Sequence, residues 1–273
     1  MSQNPCQTFI YTALPCEAKP LVEHFSLKKN TTVEPFAVYC HNDICLTVTG
    51  IGKSAMAAGV AYTQALFASA SNPVFLNVGI AGHKDHALGE LFLIDKVTDF
   101  DSQRNYYPPL VFTPPCPTAS IQTVSKPQLG YNQPDLCDME ASAFYETAVR
   151  FSSGELIQCL KVISDNKASP AENIQPKHVS ALISAHVLMI ETLLMQLRNL
   201  ARLVTMPEPE LFEQLLQRYH FTASEKMQLK SLLSRWAVAS NHQPLEFDET
   251  PLHRGKDVLR WLDQHISRLD FYL

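Results

Sequence analysis

The chain has no basic surplus. Its 273 residues carry 22 Lys and Arg against 27 Asp and Glu, a formal net charge of −5. No cationic field of the kind that holds nucleic acid or anionic lipid follows from this, so neither is expected as a partner. Cysteine is present without a pattern. There are seven, an odd count, and no Cys-x-x-Cys. The spacings fit neither a zinc site nor a disulfide framework, and reduced thiols in a cytoplasmic protein are expected. The opening "MSQNPCQTFIYTAL" has no basic region followed by an apolar core, so no signal peptide is expected. The most apolar segment, 178–203, contains Glu191 and Arg198. It reads as a buried helix rather than a membrane span. The histidines of "GHKDH" (82–86) stand three residues apart in a glycine-flanked loop, without a full ligand set. Neither metal nor cofactor is expected. Internal repeats and low-complexity tracts are lacking as well.

What is there is the composition of a globular protein, 46% hydrophobic and 18% charged. The length suits one large domain, or one domain with an appendage. Strand-like and helix-like runs alternate over the first two thirds. "TFIYTAL" (8–14) is β-rich and stops at Pro15, and "EAKPLVEHF" reads as a helix with Pro20 near its start. "FAVYC" (36–40) and "ICLTVTG" (44–50) flank "HND", a hairpin signal. An Ala-rich helix over 53–70 precedes "PVFLNVG" (73–79), a continuous apolar strand of the kind buried on both faces. "GELFLIDKV", "ASIQTVS" and "LIQCLKVIS" (156–164) are further strands, and one long helix is predicted from about 176 to 202. This alternation predicts an α/β layered fold, with ligands collecting at the carboxyl ends of the strands.

Beyond Val204 the composition changes. "MPEPE" reads as a linker or helix start, and three amphipathic helical runs follow, the second with Thr222 and Glu225 spaced as a capping box. We therefore expect an α/β domain over 1–203 and a helical extension over 204–273. An amphipathic helix needs a surface to cover, which suits a packing appendage.

Four short stretches could carry chemistry, and each has a plain structural reading beside it. "TGIGKSAMAAG" (49–59) is a glycine turn between strand and helix; it is neither a Walker loop nor Gly-x-Gly-x-x-Gly. "NVGIAG" (77–82) predicts a strand that ends at Gly79 and turns sharply, its amides free to face a ligand. Asp165, after "KVIS", either caps a turn with Asn166 and Ser169 or is an acid at the mouth of the sheet. Glu17 is either a solvated first-turn glutamate or a base beside the sheet. In "CDMEASAFYETAVRF" (137–151), Asp138 is a good N-cap and Glu140 falls on the first helical turn.

The order of these stretches is more specific than any one of them. "ALPCEA", "TGIGK", "NVGIAG", "DMEASAF" and "ISD", over about residues 8–200, resemble the nucleoside phosphorylase/nucleosidase superfamily. The likeness is greatest to its methylthioadenosine/S-adenosylhomocysteine nucleosidase branch. "DMEASAF" and "ISDN" are the specific parts, and the tail has no counterpart in the resemblance.

The resemblance implies a three-layer α/β fold around a mixed sheet, and hydrolysis of a purine N-glycosidic bond by water. It also implies a homo-oligomer, with a dimer favoured. Carried over position by position, Asp165 would be the general acid at purine N7 and Glu17 would position the water. Glu140 would accept from the ribose hydroxyls, and Met139 would pack on the sugar. Ile80, Ala81 and Gly82 would lie beside the water, and Ser164 would join the binding set. Amides of the first helical turn would keep Glu140 ionised.

Phosphorylase relatives place an arginine where this chain has Glu17, another at Asn77 and a serine at Ile80. A glutamate repels phosphate, so water is expected as the nucleophile over phosphate. Arg104 is the cation that would reverse this if it entered the site. A non-catalytic nucleoside-binding protein on the same fold is a third reading. The segment between "YYPP" and "DMEAS", which holds the base pocket in the family, is short here; Tyr131 or Pro127 is expected near the base.

Overall fold

A computed structural model describes residues 6–67, 72–128, 130–204, 209, 211–240, 243, 245 and 252–268. The chain divides into two compact units, Met1–Thr205 and Met206–Leu273. The proposed linker "MPEPE" lies outside the described residues except Pro209.

The first unit opens with β1 (Thr8–Thr12) and α1 (Pro15–His24). Pro15 and Leu14 set the helix start, where a missing N–H is no loss. A short β2 (Lys28–Lys29) pairs with β3 (Ala37–His41), which forms a hairpin with β4 (Ile44–Val48). Asn42 takes φ 52° in the two-residue turn, a conformation asparagine tolerates better than most residues. The helix α2 (Lys53–Phe67) leads to β5 (Val74–Gly82) and β6 (Leu91–Asp99). Then come β7 (Asn105–Tyr106), β8 (Thr118–Thr123), β9 (Leu136–Asp138) and α3 (Ala141–Ala148). The unit closes with β10 (Ile157–Asp165), α4 (Pro176–Ser184) and α5 (Val187–Val204).

The sheet is mixed. β1 pairs in parallel with β4 and β5, and β5 in parallel with β10. β10 meets β6 antiparallel, β6 runs parallel to β8, and β8 to β9. β9 returns to β5 through Gly82 and Cys137, so β5, β10, β6, β8 and β9 close on themselves. The carboxyl ends of β5 and β10 thereby meet the end of β9 at one mouth. Every residue of β10 is buried, as a strand covered on both faces requires. One face packs on α2 and α3 through Met56, Val60, Ala141 and Phe144. The other packs on α1, α4 and α5 through Leu21, Ile183, Ile190 and Leu197. This is a three-layer α/β architecture.

Three local expectations are corrected. β5 does not end at Gly79: "GIAG" is strand, because β10 supplies a ladder partner as far as Gly82. Asp138 is not the N-cap of α3. It ends β9, and Glu140 takes the N-cap position. The long helix is two helices, α4 and α5, bent by 56°. At the break the His186 ring hydrogen-bonds the Gly89 carbonyl at 2.7 Å. No single described helix is long and apolar enough to cross a membrane, although the bent pair passes that test by length and composition.

The second unit holds α6 (Phe212–Arg218), α7 (Ala223–Ala239) and α8 (Gly255–Ile266). They share a core of Phe212, Leu229, Leu233, Val258, Trp261 and Leu262. Gly255 starts α8 where a Cβ would fall 2.6 Å from the His220 carbonyl oxygen. The Thr222–Glu225 capping box is present, with the Thr222 amide donating to Glu225 at 2.8 Å. Thr222→Ala removes the hydroxyl acceptor for the Glu225 amide and should cost about 1 kcal/mol of local stability. Faster hydrogen exchange at the first-turn amides of α7 is the expected signature.

Candidate active site

Glu17, Ile80, Ala81, Gly82, Met139, Glu140, Ser164 and Asp165 all line one cavity of about 330 Å³ at the mouth of the sheet. Pro127 and Tyr131, from the short segment before β9, line it too. The three carboxylates come from separate elements, and each is held differently.

Glu17 stands at the third position of α1 and is buried. The Ala13 and Leu14 amides donate to its Oε2 at 2.9 and 2.8 Å, and the Ile80 amide donates to Oε1 at 3.1 Å. It is therefore not a solvated glutamate. A carboxylate offers about four acceptor positions, and backbone occupies three here, which fixes the group and leaves room for one more donor. Burial raises its pKa, against the opposing pull of those amides and of Lys161.

Asp165 ends β10 with its carboxylate turned to the cavity. Tyr131 Oη donates to Oδ2 at 2.7 Å and Ser164 Oγ to Oδ1 at 2.5 Å. The turn after β10 is held by Asn166 Oδ1, which accepts from the Ala168 and Ser169 amides. Asp165 is thus free of the capping duty its position suggested. Opposite it on β5 is Gly82, where a Cβ would fall 2.5 Å from Asp165 Oδ2 and 3.4 Å from the Tyr131 ring. Only glycine leaves that space.

Glu140 accepts from the Gly52 amide at 2.7 Å. Gly50 and Gly52 have φ of 90° and 98°, so the "TGIG" glycines serve a tight turn that aims a backbone N–H at this carboxylate. The expectation that amides of α3 keep Glu140 ionised is corrected. Asp138 takes the Ala141 amide at 2.9 Å, and Thr123 takes that of Ser142. Burial, then the Asp138 charge, push the Glu140 pKa up to about 7, against Lys161 and the Gly52 amide.

Sequence reasoning missed the group beneath these three. Lys161, in the middle of β10, pairs with Asp138 at 2.8 Å, each side chain 1% exposed. Burial opposes the ammonium charge, but Asp138 and Glu140 outweigh it and raise the Lys161 pKa. Gly79 makes room for Lys161 and Glu17, since a Cβ there would be 3.2 Å from both Lys161 Nζ and Glu17 Oε1. The signal was available: Lys161 is the one charged residue inside the apolar run "LIQCLKVIS". Asp138 also accepts from Thr123 Oγ1 at 2.7 Å.

Arg104 does not line the cavity. Its guanidinium pairs with Glu146 at 2.9 Å on the surface. His83 does line it, but its ring is engaged: Nδ1 accepts from the Asp85 and His86 amides, and Nε2 meets the Pro134 carbonyl.

The phosphorylase-superfamily model matches residues 8–130. The fold is the phosphorylase/nucleosidase fold. Among solved structures the chain is similar to the 5′-methylthioadenosine nucleosidase of Arabidopsis thaliana, with TM-score 0.58 and 16% identity, covering 71% of this chain and 97% of that one. It is similar to the Chlamydia trachomatis nucleosidase at TM-score 0.54 and 18% identity, covering 69% and 99%. It is similar to the futalosine hydrolase of Helicobacter pylori at TM-score 0.56 and 14% identity, covering 70% and 98%. No curated protein matches the sequence. In this nucleosidase fold the cavity sits where the strand ends converge, as the topology requires.

Two outcomes follow. Lys161→Met leaves Asp138 buried without its cation and should lower unfolding stability by about 3–5 kcal/mol in urea titration, with Asp138→Asn in the same chain restoring part of it. Glu140 has a folded pKa above its unfolded value, so its stabilising contribution is full below about pH 4.5 and is lost as pH rises through about 7. Glu140→Gln should therefore flatten the stability profile across that window.

Proposed function

We propose that the protein hydrolyses the N-glycosidic bond of a purine nucleoside, with methylthioadenosine and S-adenosylhomocysteine as the first candidates. The observation that carries this reading is the convergence of Asp165, Glu17 and Glu140 on one cavity whose described lining residues include no arginine. Of the two lysines at the site, Lys161 is held in its buried pair with Asp138, and Lys84 lies 3.6 Å from the exposed Asp85. Glu17, where a nucleophile would approach, repels an anion, and a neutral water is not repelled.

Bond cleavage leaves positive charge on the sugar and negative charge on the base. Asp165 donates a proton to N7 and improves the leaving group. Glu140 accepts from the ribose hydroxyls and, once ionised, favours the cationic sugar. Met139 packs on the ribose. Glu17, held by three amides, orients the water through its remaining acceptor position, with Ile80, Ala81 and Gly82 walling that side. Water adds its hydroxyl to the anomeric carbon, its proton leaves through Glu17, and the products are free base and free sugar. The similar structures, a methylthioadenosine nucleosidase and a futalosine hydrolase, support the same reaction class.

Purified protein should release base and free sugar from methylthioadenosine, S-adenosylhomocysteine, adenosine or inosine in phosphate-free buffer. Asp165→Asn should lower kcat roughly 10²–10⁴-fold, and Glu17→Gln nearly as much. Sugar 1-phosphate as product, with no turnover without phosphate, would assign a phosphorylase instead. Tight nucleoside binding without turnover in either buffer would assign a binding protein.

A further inference from the structure

We infer that Tyr131 is the positioning residue of Asp165, setting the orientation of its carboxyl group from the short segment between β8 and β9. The inference rests on the nucleosidase reading above.

The Tyr131 hydroxyl sits between two partners. Its oxygen accepts from the Ala171 amide at 2.8 Å, and it lies 2.7 Å from Asp165 Oδ2. An amide can only donate, so the phenol proton is left for the carboxylate, and the direction of the second bond is fixed. Burial, then the Asp165 carboxylate, push the Tyr131 pKa up to about 12, so the phenol keeps its proton across the working range. Ser164 Oγ takes the other oxygen, Oδ1. With one hydroxyl on each oxygen, the carboxyl plane is set from both sides.

Three further features show that this arrangement is built. Tyr131 is buried and adopts φ 46°, a left-handed conformation uncommon for a bulky residue. Its ring edge lies in van der Waals range of a Cβ built at residue 82, at 3.4 Å, while that Cβ would clash with Asp165 Oδ2 at 2.5 Å, so Gly82 leaves room for the acid beside the ring. Ala171 opens the short 3-10 turn Ala171–Asn173, so its amide is one of the donors that such a turn leaves without an internal partner. The segment 124–135 between β8 and β9 thus contributes an anchor for the acid as well as a wall of the cavity.

A residue that orients an acid acts on the chemical step, whereas one that contacts the base acts on binding. Tyr131→Phe keeps the ring and removes only the hydroxyl. With a purine nucleoside that the wild type turns over, kcat should fall at least 10-fold while KM stays within about 3-fold. Ser164→Ala removes the hydroxyl on the other carboxyl oxygen without touching Tyr131. It should lower kcat in the same direction by a smaller factor. A melting curve within a few degrees of wild type confirms that each variant is folded. If Tyr131→Phe retains at least half of kcat, or if a raised KM accounts for the whole loss, the inference is overturned. That failure is separable from failure of the nucleosidase reading: in the first case Asp165→Asn still abolishes wild-type turnover, and in the second no nucleoside is hydrolysed at all.

Discussion

Lys161 stands inside a strand buried on both faces, and its charge has to be matched there. Asp138 matches it at 2.8 Å from the end of β9. Neither partner is solvated, so the pair is stable only while β9, β10 and their neighbours hold register. It has consequences in both directions. Asp138, already fixed by Lys161, also accepts from Ala141 and Thr123 and so starts α3. Lys161, on the other side, is the positive charge over which Glu17 and Glu140 are arranged. Three buried carboxyl groups and one ammonium form a group whose net charge depends on protonation. Burial, then the charge of Asp138, raises the Glu140 pKa to about 7, while Asp138 and Glu140 keep the lysine charged against its own burial.

The cavity uses the ends of strands as rigid mounts. Asp165 ends β10, Gly82 ends β5 and Asp138 ends β9, all in one closed part of the sheet. Glu17 is brought in by α1 and tied to β5 through the Ile80 amide. Glu140 is tied to the glycine turn after β4 through Gly52. Each carboxylate is therefore braced by backbone or side chain from a second element. This is the preorganisation that electrostatic catalysis requires.

Glycine does different work at different places in this chain. Gly50 and Gly52 supply the positive φ that a tight turn needs. Gly79 and Gly82 lie in a regular strand and are needed for what they lack, a Cβ where Lys161, Glu17, Asp165 and Tyr131 come together. Both uses read identically in the sequence, as glycine following an apolar strand. This is why "GIAG" reads as a turn along the chain and is strand in the fold.

Read along the chain, the residues already carry the alternation of strands and helices, the change of composition near residue 204, and the short motifs that bring Glu17, Met139, Glu140 and Asp165 forward together. Periodicity and local chemistry decide such features, and both are written along the chain. The fold, and not the spacing, makes Asp138 the partner of a buried lysine as well as the acceptor for the Ala141 amide at the start of α3, and bends one predicted helix into α4 and α5. Only it placed Tyr131 on Asp165, 34 residues away in sequence. It also put Glu140 where burial outweighs its hydrogen bond. These depend on which groups meet across the sheet and how much water reaches them, and spacing along a chain carries no information about either.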